Sequence, residues 1–291
     1  MDSVNPAFKA SVAFEWIAPP TDLAEIVHTF YVAEIGLGEI DEPMPAYSAQ
    51  LALVSEGSLE MEFSRGRIAR QGGLLLKAPQ LSAGRIRVAG PCRAVGASLT
   101  PLGWFALTGL SADKVHDCHV APDTFMMPQQ LREIERSHSG PESVIKFLES
   151  VLRSAPHSIK PRYRDFVWTV TEWLGSALNP AIEDLYASFP LSPRQVQRLC
   201  RRFFGASPTQ VLMRHRAVRA AMLLSNPGLP QSLRDEVITA YFDQAHMIRD
   251  IRRFTGRTPA DLALPSLTQE GLDPAGHGKT AEVLFDGQTD S

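Results

Sequence analysis

Eleven residues from position 198, Arg-Leu-Cys-Arg-Arg-Phe-Phe-Gly-Ala-Ser-Pro, return from position 249 as Arg-Asp-Ile-Arg-Arg-Phe-Thr-Gly-Arg-Thr-Pro. The offset of 51 residues sets Arg198, Arg201, Arg202, Phe203, Gly205 and Pro208 against Arg249, Arg252, Arg253, Phe254, Gly256 and Pro259 without a gap. A repeated unit of this kind fixes architecture before composition does.

Each copy predicts a helix with both ends marked. Ser192 followed by Pro193 supplies an N-cap and a proline at the first helical position, and Asp243 is the cap of the second copy. Val196, Leu199, Cys200 and Phe203 recur at helical spacing, as do Met247, Ile251 and Phe254. Gly205 and Gly256 end the two helices, and Ser207-Pro208 and Thr258-Pro259 begin the next turns.

The other face is basic and polar. Arginine pairs bidentately with guanine and glutamine with adenine, while further cations hold phosphates. The early residues of such a helix enter the groove deepest. Arg194, Gln197 and Arg198 are therefore expected at bases in the first copy, with Arg201 and Arg202 nearer the backbone. In the second copy Gln244, His246 and Arg249 are expected at bases, with Arg252 or Arg253 on phosphate. A single basic helix face is as easily a solvated surface, but two copies with the same caps favour DNA.

With these residues in place, the stretch 166–264 resembles the DNA-binding domain of the AraC/XylS family of transcription regulators. The first unit matches through Ile182-Glu-Asp-Leu185, Ser192, Gln197-Arg198 and Phe204-Gly-Ala-Ser-Pro208. The second matches through Tyr241-Phe-Asp-Gln-Ala-His-Met247, Arg249 and the run from Arg253 to Leu262. The resemblance implies two helix-turn-helix units joined by a long helix. In the turns, where the family usually has glycine, Pro190 stands in the first unit and Ala240 precedes Tyr241 in the second. The second unit is accordingly expected to contribute less to base reading.

Charge is divided along the chain. The net charge is −3, yet residues 160–264 hold 15 basic against 9 acidic side chains, leaving 14 basic against 23 acidic elsewhere. A basic module attached to an acidic one fits a nucleic-acid binder with a separate regulatory part. Between 46 and 100, short apolar runs at 51–54, 59–63, 73–77, 84–88 and 94–99 alternate with glycine, serine and proline, a strand pattern. The expected fold class is α+β: an N-terminal β-rich barrel or sandwich, cupin-like as the family resemblance implies, and a C-terminal all-α domain. The expected domains are 1–122, a helical connector and linker over 123–160, the double helix-turn-helix over 161–264, and a mobile tail over 265–291. The 142–152 helix carries an apolar stripe through Val144, Phe147, Leu148 and Val151 that fits either its own barrel or a second subunit. The helix from 208 to 224, roughly 25 Å long at 1.5 Å per residue, suits two recognition helices in successive major grooves.

Chemistry is sparse. His116-Asp117-Cys118-His119 has metal-ligand residue types but crowds them into one loop, and is expected to be an ordinary loop. Cys92, Cys118 and Cys200 lack the spacing of a disulfide framework or zinc site. No catalytic residue, metal or cofactor is expected. The N-terminus lacks a signal-peptide pattern, and no apolar run reaches the length of a membrane span, so a cytoplasmic location without membrane contact is expected. Double-stranded DNA is the expected partner; a small-molecule effector, RNA polymerase and a second copy of the chain stay open as others. Two alternatives stand beside this reading: a cupin-type enzyme with a vestigial DNA module, and a regulator controlled by a protein partner.

Overall fold

The structure is a computed structural model that describes residues 10–130, 140–226 and 228–262. Its first half is a seven-stranded antiparallel sheet. The strands are β1 (Val12–Ile17), β2 (Val27–Met44), β3 (Gln50–Phe63), β4 (Gly66–Arg70), β5 (Gly73–Lys77), β6 (Gly84–Leu99) and β7 (His119–Val120), in the order β1-β2-β6-β3-β5-β7 with β4 paired to β3. Strands β2, β3 and β6 run the length of the sheet. Their register shifts between Ile35 and Gly38 and between Val54 and Ser58, where one strand carries extra residues. Such bulges bend a sheet. Ile35, Val54 and Cys92 on one side of the bend thereby share a core with Ile40, Leu59, Met61 and Val88 on the other.

The opposite face of the sheet is covered by α1 (Pro101–Thr108) and α2 (Pro141–Arg153). Val144, Phe147, Leu148 and Val151 all enter that core with Leu51, Leu53 and Leu76. The apolar stripe of α2 is therefore spent on its own domain and is not free for a second subunit. Helix α1 is buried on every side. Trp104 and Leu107 join the sheet core, whereas Leu102 and Phe105 join the core of the helical half.

That half comprises α3 (Pro161–Gly175), α4 (Ile182–Ala187), α5 (Pro193–Phe204), α6 (Pro208–Ser225), α7 (Gln231–Thr239) and α8 (Gln244–Thr255). The caps form as the sequence predicts. Ser192 accepts from Gln195 N, Ser207 from Gln210 N and Asp243 from His246 N, while Gly205 and Gly256 adopt φ of 81° and 76°. Helix α6 lies between the two units. Val211 and Leu212 pack into the first unit, and Ala220, Ala221 and Met222 into the second.

Several expectations need correction. Strand β1 falls in a stretch with little sequence pattern; its Phe14 and Trp16, alternating with the exposed Ala13 and Glu15, pack with Tyr31 of β2 as an aromatic cluster. Strand β2 continues through Gly36 and Gly38 to Met44, and β4 closes a hairpin at Gly66. The start of the expected helical connector over 123–160 is a single turn at Pro122–Thr124. The expected tail lies outside the described residues. Among the described residues no helix is long and apolar enough to cross a membrane.

Candidate nucleic-acid interface

Helices α5 and α8 are amphipathic for the same reason. Val196, Cys200, Phe203 and Phe204 bury one face of α5; Met247, Ile251, Phe254 and Thr255 bury that of α8. What remains outside is the basic face. Arg194, Arg198 and Arg201 are exposed on α5, and Gln244, Arg249, Arg252 and Arg253 on α8. Ion-pairing partners for Arg194, Arg198 and Arg201 do not occur among the described residues. A cationic surface without internal counter-charges is available to phosphates.

Three expected contacts are engaged elsewhere. Gln197 is half-buried and donates from Nε2 to Tyr186 Oη on α4 at 3.1 Å. The guanidinium of Arg202 lies over the rings of Phe105, Tyr163 and Phe203, at 4.6, 5.1 and 5.7 Å, and its Nη1 donates to Tyr163 Oη at 3.4 Å. Arg202 thus ties α5 to α1 and α3. His246 turns inward: its Nε2 is 3.3 Å from Asp250 Oδ2, and its ring packs edge-on to Tyr241. For Gln197 and Arg202 sequence position could not show this, because Tyr186, Phe105 and Tyr163 come from other elements; the i,i+4 spacing of His246 and Asp250 was a local signal.

One exposed residue escaped the sequence reading. Phe242 is 94 % exposed immediately before the cap Asp243, at the end of α8 where Gln244 and Ala245 are also exposed. The signal was its place in the repeat, where Leu191 is its counterpart.

The C-terminal ends of both helices meet the sheet domain. The last carbonyls of a helix lack internal partners. Here Ala112 N donates to Arg202 O at 2.8 Å and Ala83 N to Arg253 O at 3.0 Å, two carbonyls one repeat apart. Ala46 N donates to Phe254 O at 2.7 Å. Nearby, Arg214 Nη1 donates to Gln80 O at 2.8 Å. Arg257 Nη2 stands 3.1 Å from Glu42 Oε2, close enough to pair although that oxygen accepts no aligned hydrogen bond.

Residues 185–263 match the family model of a helix-turn-helix domain. The C-terminal region is an AraC-type helix-turn-helix domain. This chain carries the DNA-binding module of a transcription regulator. No curated protein sequence matches it. Among solved structures, ToxT from Vibrio cholerae aligns over 88 % of this chain and 97 % of its own, with 7 % identity and a TM-score of 0.44. The AraC-like transcriptional activator CuxR aligns over 79 % and 87 %, with 11 % identity and a TM-score of 0.31. A cupin superfamily protein from Desulfitobacterium hafniense DCB-2 aligns over 33 % of this chain and 84 % of its own, with 11 % identity and a TM-score of 0.25. Likenesses of this size say nothing about what this chain binds.

The sheet domain holds a partly open cavity of about 130 Å³. Its walls are mostly apolar, including Trp16, Tyr31, Met61, Leu75 and Val88, with Ser48 and Gln50 among its few polar residues. The expected loop at 116–119 is built around Asp117, which accepts hydrogen bonds from Leu81 N, Ser82 N and the hydroxyls of Ser64 and Ser82. Its backbone is left-handed, φ 49°, and its carboxylate closes the loop onto 81–82. Among the described residues no group of three or more His, Cys, Asp or Glu side chains is arranged to hold a metal.

Proposed function

We propose that this chain reads DNA sequence with α5 and α8 in successive major grooves, under the control of its sheet domain. Arg194 and Arg198 of α5 and Gln244 and Arg249 of α8 are the base-reading groups. Arg201, Arg252 and Arg253 hold phosphates, and Phe242 offers an apolar contact of the kind a thymine methyl accepts. Gln197 joins them by exchanging Tyr186 for a base. Arg202 and His246 are positioning residues in this reading, because their side chains are already held by rings and by Asp250. The domain limits at 122, 160 and 264 belong to the same proposal.

The observation that carries the control is the pair of carbonyls Arg202 O and Arg253 O. Both recognition helices are hydrogen-bonded at equivalent points to the sheet domain. Segment 110–112 bears on α5 and segment 81–83 on α8, so a movement of the sheet domain as a whole acts on both helices together. The apolar cavity in the same sheet is the place where a small ligand would bias that shift, since its size is near that of cavities known to hold one aromatic ring.

The test is selection of bound duplexes from a random pool by the full-length protein, followed by titration of the winner. The reading predicts two conserved base clusters about one helical turn apart, near 34 Å. A single cluster would limit reading to one helix, and selection of no sequence at all would remove the proposal.

A further inference from the structure

The 51-residue repeat lets the leading ends of α5 and α8 be compared position by position. Arg194 of α5 corresponds to Ala245 of α8, Gln197 to Ile248 and Leu191 to Phe242, while Arg198 and Arg249 coincide. Leu191 is half-buried and packs on the core of the first unit. Phe242 is 94 % exposed, the most open large apolar side chain among the described residues, because its neighbour Tyr241 takes the inward place against His246. Gln244 and Ala245 follow it and are exposed as well. Asp243 is spent on the helix cap, its Oδ1 accepting from His246 N at 2.6 Å. Arg249 Nε turns back to Ala245 O at 3.3 Å. The leading end of α5 therefore offers guanidinium groups, and that of α8 an aromatic ring, a methyl and an amide.

These groups fit different base edges. A guanidinium pairs with guanine O6 and N7, a glutamine amide with adenine N6 and N7, and an apolar side chain with the C5-methyl of thymine. We infer that α8 recognises A·T pairs by the C5-methyl group of thymine, with Phe242 and Ala245 receiving the methyl and Gln244 pairing with adenine, whereas guanine marks the half-site under α5. Contact between ring and methyl takes apolar surface on both partners out of water, which a cytosine in the same place does not repay. The inference rests on the DNA reading proposed above. It adds the composition of each half-site and, with it, the direction in which the chain lies on the duplex.

The test uses the full-length protein and the duplex selected from the random pool. Each thymine is replaced in turn by uracil, which removes the methyl and keeps the base pair. At one or more thymines of one cluster, uracil should weaken binding about fourfold, the value of one buried methyl. Phe242→Ala should abolish that loss, and Phe242→Leu should keep most of it. The cluster concerned should be the one that Arg198→Ala leaves unrelaxed. The inference is overturned if no thymine shows the loss, if the loss persists in Phe242→Ala, or if it falls in the cluster that Arg198→Ala relaxes. Sedimentation of the parent and of Phe242→Ala without DNA covers the other use of an open ring. Self-association lost in the variant, with its DNA binding unchanged, would give Phe242 to a second copy and overturn the inference too. Phe242 is exposed, so neither substitution opens a hole in the core. A pool that yields no sequence removes the DNA reading and this inference together; a selected duplex indifferent to every thymine methyl removes this inference alone.

Discussion

Asp250 Oδ2 on α8 accepts a hydrogen bond from Arg216 Nη2 on α6 at 3.0 Å, with both side chains buried. The same arginine donates to Asn179 Oδ1 and Ala240 O and stacks 4.3 Å from the ring of Tyr241. One cation thereby fixes the second recognition helix against the connecting helix and against the turn that precedes it. Asp250→Ala leaves that cation buried without its counter-charge. Removing one member of a buried pair costs about 3–5 kcal/mol, and chemical denaturation should show a loss in that range. A loss near zero would mean that Asn179 and Tyr241 suffice to hold Arg216.

Arg198 and Arg202 are neighbours on one helix with opposite surroundings, one open and one caged by rings. Arg198→Ala should cost about 1–3 kcal/mol on the selected DNA and relax preference at one base position. Arg202→Ala should leave the salt dependence of DNA binding unchanged, because the slope counts phosphates neutralised. It should instead lower thermal stability, as about 1–2 kcal/mol of cation–π attraction is lost. Titrations of both variants at two salt concentrations, with melting curves, check this. A salt slope reduced by about one in Arg202→Ala would return that residue to the phosphate backbone.

These two arginines also show where the sequence stops being informative. The repeat, the caps and the apolar spacing are local, so both recognition helices and α6 were legible at nearly their true bounds. Whether a given arginine points outward is decided by Phe105 and Tyr163, which are remote in sequence. The strands were legible where apolar and charged residues alternate, as in Leu59 to Phe63. They were missed at Val12–Ile17, where the alternation of Phe14 and Trp16 with Ala13 and Glu15 is confined to six residues, and at Ile35–Gly38, where a bulge breaks the period. The cavity was not legible at all, since its walls combine residues remote in sequence.

Gly256 closes α8 with φ 76°, and a Cβ there would stand 2.4 Å from Pro43 Cβ of the sheet domain. Gly73 has φ 93° but nothing within 4 Å of its would-be Cβ. Gly256→Ala should therefore suffer two penalties and Gly73→Ala one. The shared backbone penalty is about 1–2 kcal/mol; the excess for Gly256→Ala measures the clash and should open the domain contact. Melting temperatures of both variants, with protease cleavage between the domains as a second readout, test the difference. Equal destabilisation without new cleavage would show that Pro43 simply yields.

Lys77 is fully buried on β5, where its Nζ donates to Gln80 Oε1 at 2.7 Å and lies 5.1 Å from the Tyr47 ring. Burial drives its ammonium down to about 7, against a smaller opposing pull from Asp117. An unfolded lysine titrates near 10.4, so between about pH 7 and 10 the unfolded chain binds more protons than the folded one. Lys77 therefore makes stability rise with pH across that window, and its burial is most costly below pH 7. Lys77→Met keeps the length and removes the charge. Its stability advantage over the parent should be largest near pH 6 and shrink steadily towards pH 10. Other groups titrate in both proteins, including Arg214, which burial lowers to about 10, and cancel in the difference. Paired denaturation curves at pH 6, 7.5 and 9 measure that difference. A gap that stays constant with pH would mean that Lys77 keeps its proton throughout, held by Asp117 and the Tyr47 ring.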